Sequence, residues 1–174
     1  MNRKENLELK ARWRPETVRL LLLGAEVLLL ALLCVWLVWI FRRDTVREVG
    51  RSAVVEAMEQ GCDLEGLTQG DANTLKRCFG LDGADYEFYL IYTSESAMDV
   101  EELLIVRASE EQLDSLEASV QSRLERQKRS FDGYGADQEA LLENAVLWER
   151  GGYFFYGVSE QAEQWGETFL SCIR

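Results

Sequence analysis

A chain of 174 residues with 31 acidic against 19 basic side chains carries a formal net charge of −12, and it has no histidine. The missing imidazole excludes Ser-His-Asp and Cys-His nucleophile arrangements and histidine metal sites. The acidic balance argues against nucleic acid as a partner, because phosphate binding needs basic patches.

Residues 1–17 are polar and mixed in charge and hold the chain's only proline, Pro15, which reads as a short disordered or interfacial tail. Residues 18–41, VRLLLLGAEVLLLALLCVWLVWIF, contain ten leucines and only two ionisable groups, Arg19 and Glu26. About 20 apolar residues at 1.5 Å rise cross the roughly 30 Å hydrocarbon layer, so this stretch is expected to be a transmembrane helix. It is longer than the apolar core of a secretory signal, and it ends in Phe41-Arg42-Arg43 rather than a small-residue cleavage site. Leu33 before Cys34 also departs from a lipoprotein site, so the helix is expected to stay as an anchor.

Cytoplasmic flanks carry an excess of Lys and Arg. Arg3, Lys4, Lys10, Arg12, Arg14 and Arg19 precede or open the segment, against Arg42, Arg43, Arg47 and Arg51 beyond it. The expected topology is a single pass with the N-terminus cytoplasmic and the C-terminal domain outside. Trp36 and Trp39 suit an interfacial belt. Glu26 is a candidate interaction residue: either it contacts a partner helix, or it is a tolerated carboxylate near the interface.

Residues 42–60 place Val46, Val49, Ala53, Val54 and Ala57 at helical spacing, which predicts a juxtamembrane helix stopped by Gly61. Residues 61–174 form the extracytoplasmic domain, and residues 52–174 hold nine basic and 25 acidic groups. Asp71 is a good N-cap and Gly80 a good C-terminal stop for a short helix. Residues 86–93 and 103–107 read as strands joined by TSESAMDVEE. Ser109-Glu110-Glu111-Gln112 is a capping box opening a long helix with Leu113, Leu116, Val120, Leu124 and Phe131 along one side. Gly133-Tyr134-Gly135 breaks that helix and a shorter one follows through Leu141 and Leu142. AVLWER and YFFYGV then flank Gly151-Gly152 as a tight hairpin. Ser159 is expected to cap the last helix, with Ala162, Trp165 and Phe169 facing inward. The order ααββααββα implies an α+β domain with an antiparallel sheet of about four strands packed by helices.

Cys62, Cys78 and Cys172 fall in this domain. Cys62 with Cys78 is a possible disulfide closing a short loop; the alternative is that all three are small buried apolar side chains. Arg123, Arg126, Lys128 and Arg129 form the domain's one basic cluster, suited either to lipid headgroups or an acidic polymer, or to a salt-bridged helix face. The strand aromatics Tyr86, Phe88, Tyr89, Tyr92, Tyr153, Phe154, Phe155 and Tyr156 are either core or an open stacking surface, with Tyr153 the candidate contact. Pairs such as Asp82 with Asp85, and Asp99 with Glu101 and Glu102, lie in polar turns where solvent is expected to leave them ordinary. No GxSxG, Walker A, GxGxxG or CxxC pattern occurs. No cofactor, no metal and no catalytic role are therefore expected.

DYEFYLIYTSESAMDVEELLIVRA, RLERQKRSFDGYGADQEALLENAV and RGGYFFYGVS, within residues 64–159, together resemble a family known only as a domain of unknown function (DUF4358-like) from clostridia-type Gram-positive bacteria. The resemblance rests on Met98, Glu102, Gln127, Phe131, Tyr134 and Tyr153. It implies a small envelope protein, often a lipoprotein, in the context of machinery that acylates envelope polysaccharides, and it supplies no catalytic residues. This chain departs from it by its transmembrane anchor. The expected function is a membrane-held binding or accessory module for another membrane or envelope protein. The alternative is a sensor domain for a small ligand or polysaccharide. A closed pocket lined by strand aromatics favours the ligand, and an exposed apolar patch favours the protein partner.

Overall fold

The computed structural model describes residues 15–43, 46–133 and 135–174, and it divides into two compact units at the 44/45 boundary. The expectations resting on residues 1–14, and the roles of Asp44, Thr45 and Tyr134, lie outside the described residues. In the first unit helix α1, Pro15–Arg43, opens on the proline, whose fixed φ suits a first helical turn. Its side chains are described at Arg19 and at residues 22–37, and those of Trp39, Arg42 and Arg43 lie outside the description. Leu22, Leu23, Val27, Leu30, Leu33 and Trp36 are all exposed, so over residues 22–37 apolar side chains stand on every side of α1, with Glu26 the one charged group among them. Residues 22–37 extend about 24 Å at 1.5 Å per residue. Among the described residues no helix is long and apolar enough to cross a membrane.

The second unit is α+β. Its strands are β1 (Leu67–Gln69), β2 (Phe88–Ser94), β3 (Glu102–Arg107), β4 (Val146–Arg150) and β5 (Tyr153–Val158). Its helices are α2 (Arg51–Gly61), α3 (Ala72–Phe79), α4 (Glu110–Phe131), α5 (Ala136–Glu143) and α6 (Ala162–Ile173), with a 3-10 turn at Gly83–Asp85. The sheet has five strands in the order β1-β2-β3-β5-β4, and every pairing is antiparallel.

The expected count of four strands falls short by β1. With only Leu-Thr-Gln, and two of those three positions exposed, β1 has too few residues to show an alternating pattern; its pairing to β2 (Thr68 opposite Thr93) is what makes it a strand. The helix expected over 42–60 is shorter and begins at Arg51, after an extended stretch at 46–50. Val54 and Met58 bury it against the sheet, so it belongs to the domain rather than preceding it.

Helices cover both faces of the sheet. Leu75, Leu116, Val120 and Leu142 from α3, α4 and α5 pack on Ile91, Leu104, Val106, Phe154 and Tyr156. Val54 and Met58 from α2, with Trp165 and Phe169 from α6, pack on the other face against Leu90, Leu103, Ile105, Tyr153 and Phe155. Successive strand side chains point to opposite faces, so a strand covered on both sides reads as an unbroken apolar run. That is the pattern of LLIV in β3 and YFFY in β5, whose residues are almost all buried.

Local signals act as expected at several ends. The Asp71 carboxylate accepts from the Thr74 amide at 2.9 Å, which holds its carboxyl below the usual range, and Gly80 closes α3 at φ 74°. Gln112 Oε1 accepts from the Ser109 amide at 2.9 Å, one half of the capping box. Two expectations fail. Gly61 does not stop α2 as a left-handed residue; it is the last residue of the helix, and a Cβ there would lie 2.7 Å from Thr168 Cγ2, so it serves the close approach of α2 to α6. Gln161, not Ser159, is the N-cap of α6, because the Ser159 hydroxyl donates to Glu101 Oε1 at 2.6 Å and its oxygen accepts from the Gln161 amide at 3.2 Å.

Gly151 and Gly152 turn β4 into β5 with φ 57° and 79°, both positive as a type I′ turn requires, and Arg150 stands opposite Tyr153. Space compounds the conformational demand. A Cβ at Gly151 would lie 2.7 Å from Val46, and one at Gly152 would lie 2.9 Å from Arg107 Nη1. Replacing both glycines by valine is expected to cost about 1–3 kcal/mol at each position, out of about 5–15 kcal/mol for such a domain. Thermal denaturation followed by tryptophan fluorescence checks this; a midpoint lowered by less than about 4 °C, the equivalent of about 1 kcal/mol, contradicts it.

Candidate functional site

Glu102 opens β3 two residues before Leu104 and four before Val106, so its side chain falls on the face that α4 covers. It is 1% exposed. An isolated buried carboxylate is very costly, and this one is fully engaged. Oε1 accepts from the Tyr156 hydroxyl at 2.7 Å, and Oε2 accepts from Arg123 Nη2 at 3.1 Å and Nε at 3.3 Å. Gln127 is also buried; with its amide oriented to suit its neighbours, Nε2 donates to Glu102 Oε1 at 2.8 Å and Oε1 accepts from Arg123 Nη2 at 3.2 Å. Arg123 and Gln127 reach the same carboxylate because they lie four residues apart on α4, one turn along the stripe of Leu116, Val120 and Leu124.

Burial pushes the Glu102 carboxyl up, while the charge and hydrogen bonds of Arg123 and the bond from Tyr156 act against that. The Tyr156 hydroxyl is driven strongly up by burial and by the Glu102 charge beside it. Hence Glu102 faces a charged guanidinium and a neutral phenol at neutral pH.

Above it opens a cleft of about 480 Å³ between the 95–101 loop and α3 and α4. Arg77, Asp99, Glu102, Arg123, Gln127 and Phe131 are among its lining residues. On the other side of the same loop lies a larger, acidic groove of about 800 Å³, to which Asp99, Glu101, Asp137, Glu160 and Glu163 contribute. Among the described residues no group of His, Cys, Asp or Glu is arranged to hold a metal ion.

The expected basic cluster is dispersed by the structure. Arg123 turns into the Glu102 network; Arg126 donates to the Cys78 carbonyl at 2.9 Å and to Ser122 Oγ at 2.8 Å; Arg129 pairs with Glu125 at 3.9 Å. Lys128, half-buried, lines a groove together with Asp132, Glu139 and Glu143, so the four cations of the expected cluster do not share one set of partners. Tyr153 is buried, with its hydroxyl accepting from the Val49 amide at 2.9 Å and donating to the Val49 carbonyl at 3.2 Å; it is a strut, not a contact surface. Of the strand aromatics, Tyr92, Tyr153, Phe154, Phe155 and Tyr156 are core, whereas Tyr86, Phe88 and Tyr89 are half-buried against it; Phe155 stacks on Trp148 at 5.1 Å.

Cys62 and Cys78 do not pair. Both are free thiols, and they belong to the two opposite faces of the sheet, Cys78 against α4 and Cys62 in the cluster of α2 and α6. Burial pushes the Cys62 and Cys172 thiols up, away from the thiolate form. Glu26 is a described helical residue of α1 with an exposed side chain. Glu102 is the residue whose environment differs most from the expectation of an ordinary solvated carboxylate. Its signal was the two-residue spacing to Leu104 and Val106, which the neighbouring Asp99 and Glu101 obscure.

Replacing Arg123 by leucine leaves Glu102 buried without its cation. A carboxyl whose folded value already lies above its ordinary 4.5 stabilises the fold below that value and loses the contribution as pH rises through the folded value. Removing Arg123 raises it further. The variant is therefore expected to lose about 3–5 kcal/mol at pH 8 and distinctly less at pH 5, where Glu102 is able to take a proton. Urea denaturation at the two pH values measures it, and an equal loss at both contradicts the buried-carboxylate account.

Residues 60–159 match the model of a family described as a domain of unknown function (DUF4358). No curated protein and no solved structure matches the chain. The matched residues run from the end of α2 through β5 and include Glu102, Arg123, Gln127 and Tyr156. Covering more than half of the 174 residues, the match makes this chain a member of the DUF4358 family.

Proposed function

We propose that the protein is a single-pass envelope protein of the Gram-positive type. In this reading residues 18–41 anchor it in the cell membrane, the N-terminus is cytoplasmic, and the acidic α+β domain stands outside as a binding or accessory module for another membrane or envelope protein. The observation that carries the proposal is α1, whose described side chains from Leu22 to Leu37 are exposed and, apart from Glu26, uncharged. A helix apolar all round needs either a protein core or lipid around it. The flanking cations supply the orientation.

The domain surface supports recognition through polar groups. Among its described residues Met98, 71% exposed at the tip of the 95–101 loop, is the sole exposed large apolar side chain, so the apolar patch that an obligate partner would leave is missing there. The sensor reading draws on a different observation, the polar cleft over Glu102, and a binding module with a ligand site accommodates both. Neither reading gives the domain a catalytic role.

A reporter cysteine placed after Arg174, in a chain whose own cysteines are replaced, is expected to react with a membrane-impermeant maleimide in intact cells. The protein is expected to stay with the membrane fraction after carbonate washing. Labelling that requires lysis overturns the topology, and release by carbonate overturns the anchor.

A further inference from the structure

Charges of both signs line the cleft over Glu102: Arg123 is paired with Glu102 at 3.1 Å, and the rest of the lining is not paired in this way. Arg77, exposed in the last turn of α3, has no ion pair or hydrogen bond among the described residues. Arg123 commits Nε and Nη2 to Glu102 and Gln127, which leaves Nη1 without a hydrogen-bond partner among the described residues. From the 95–101 loop comes Asp99, half-buried, with Oδ1 accepting from the Glu101 amide at 3.1 Å and Oδ2 without a partner among the described residues. The half-buried ring of Phe131 adds an apolar wall.

A simple anion fits this cleft poorly, because Glu95, Asp99 and Glu101 share the lining and residues 52–174 carry 25 acidic against nine basic groups. A simple cation leaves the Arg77 guanidinium, which has no ion pair among the described residues, without a counter-charge. A ligand bearing one charge of each sign satisfies both sets. We propose that the cleft binds a small zwitterion of the α-amino-acid class, its carboxylate on Arg77 and Arg123 Nη1, its ammonium on Asp99 and its side chain toward Phe131. Arginine favours carboxylates geometrically as well as electrostatically, since its fork of N–H donors matches two oxygens. The volume of about 480 Å³ is in the range of small-molecule sites. Glu102, Gln127 and Tyr156 act beneath as positioning residues that hold the Arg123 guanidinium in one orientation.

The inference rests on reading the domain as a binding module, but its test does not depend on membrane orientation. The full chain, solubilised in detergent, is titrated calorimetrically with L-leucine, D-leucine, N-acetyl-leucine and leucinamide. At least one leucine enantiomer is expected to bind saturably, and each blocked analogue, lacking one charge, at least about tenfold more weakly. Arg77→Ala is expected to weaken binding at least about tenfold, whereas Arg129→Ala, outside the cleft, leaves it unchanged. Absence of saturable binding by either enantiomer, equal binding of a blocked analogue, or parental affinity in Arg77→Ala overturns the assignment. None of those results bears on the anchoring of α1, which the labelling experiment tests separately.

Discussion

The second unit depends on the burial of β3 and β5 from both sides. Leu103, Leu104, Ile105 and Val106 pair register by register with Gly157, Tyr156, Phe155 and Phe154, and all eight positions are buried. At about 25 cal/mol per Å² of apolar surface, neither face of such a pair tolerates water, so two separate helical layers are required. On one face α3, α4 and α5 supply the cover, and on the other α2 and α6 do so. Most of α2 and all of α6 lie outside residues 60–159, so in this chain the family-matched segment is completed by flanking helices.

The same constraint creates the polar site. A strand buried on both faces leaves its end residues no neutral choice, and Glu102 enters on the face that belongs to α4. Its carboxyl finds partners there only because Arg123 and Gln127 occupy the buried side of that helix and Tyr156 stands on the neighbouring strand. One partner without the others leaves a desolvated charge, so the four residues act as a unit and fix α4 against the sheet.

At the opposite end of β3, Arg107 does comparable work for the stretch that precedes α2. It stacks 4.5 Å over the Tyr153 ring, donates to the Gly151 carbonyl and pairs with Glu48 and Glu87. Tyr153 grips both backbone groups of Val49, and the Arg47 amide donates to the Ile173 carbonyl at 2.7 Å. Residues 46–50 are thus strapped to the sheet end and to the C-terminus of α6.

What the sequence determined by itself was whatever depends on neighbours a few residues apart. The caps at Asp71 and Gln112, the amphipathic run of α4 and the paired glycines at 151 and 152 are local, and each forms where the residues place it. The antiparallel sheet with helices followed from the order of those elements. Tertiary structure decided what depends on partners distant in sequence. β1 is a strand only because β2 lies beside it, and α2 is part of the domain only because the sheet offers it an apolar face. Cys62 and Cys78 are 16 residues apart in the chain yet sit on opposite sides of the sheet. Arg123, read as a surface cation from its charged neighbours, finds its counter-ion 21 residues away at Glu102. Spacing along a chain carries the first kind of information, because capping and periodicity are short-range; the second kind arises only when the sheet brings separate segments into contact.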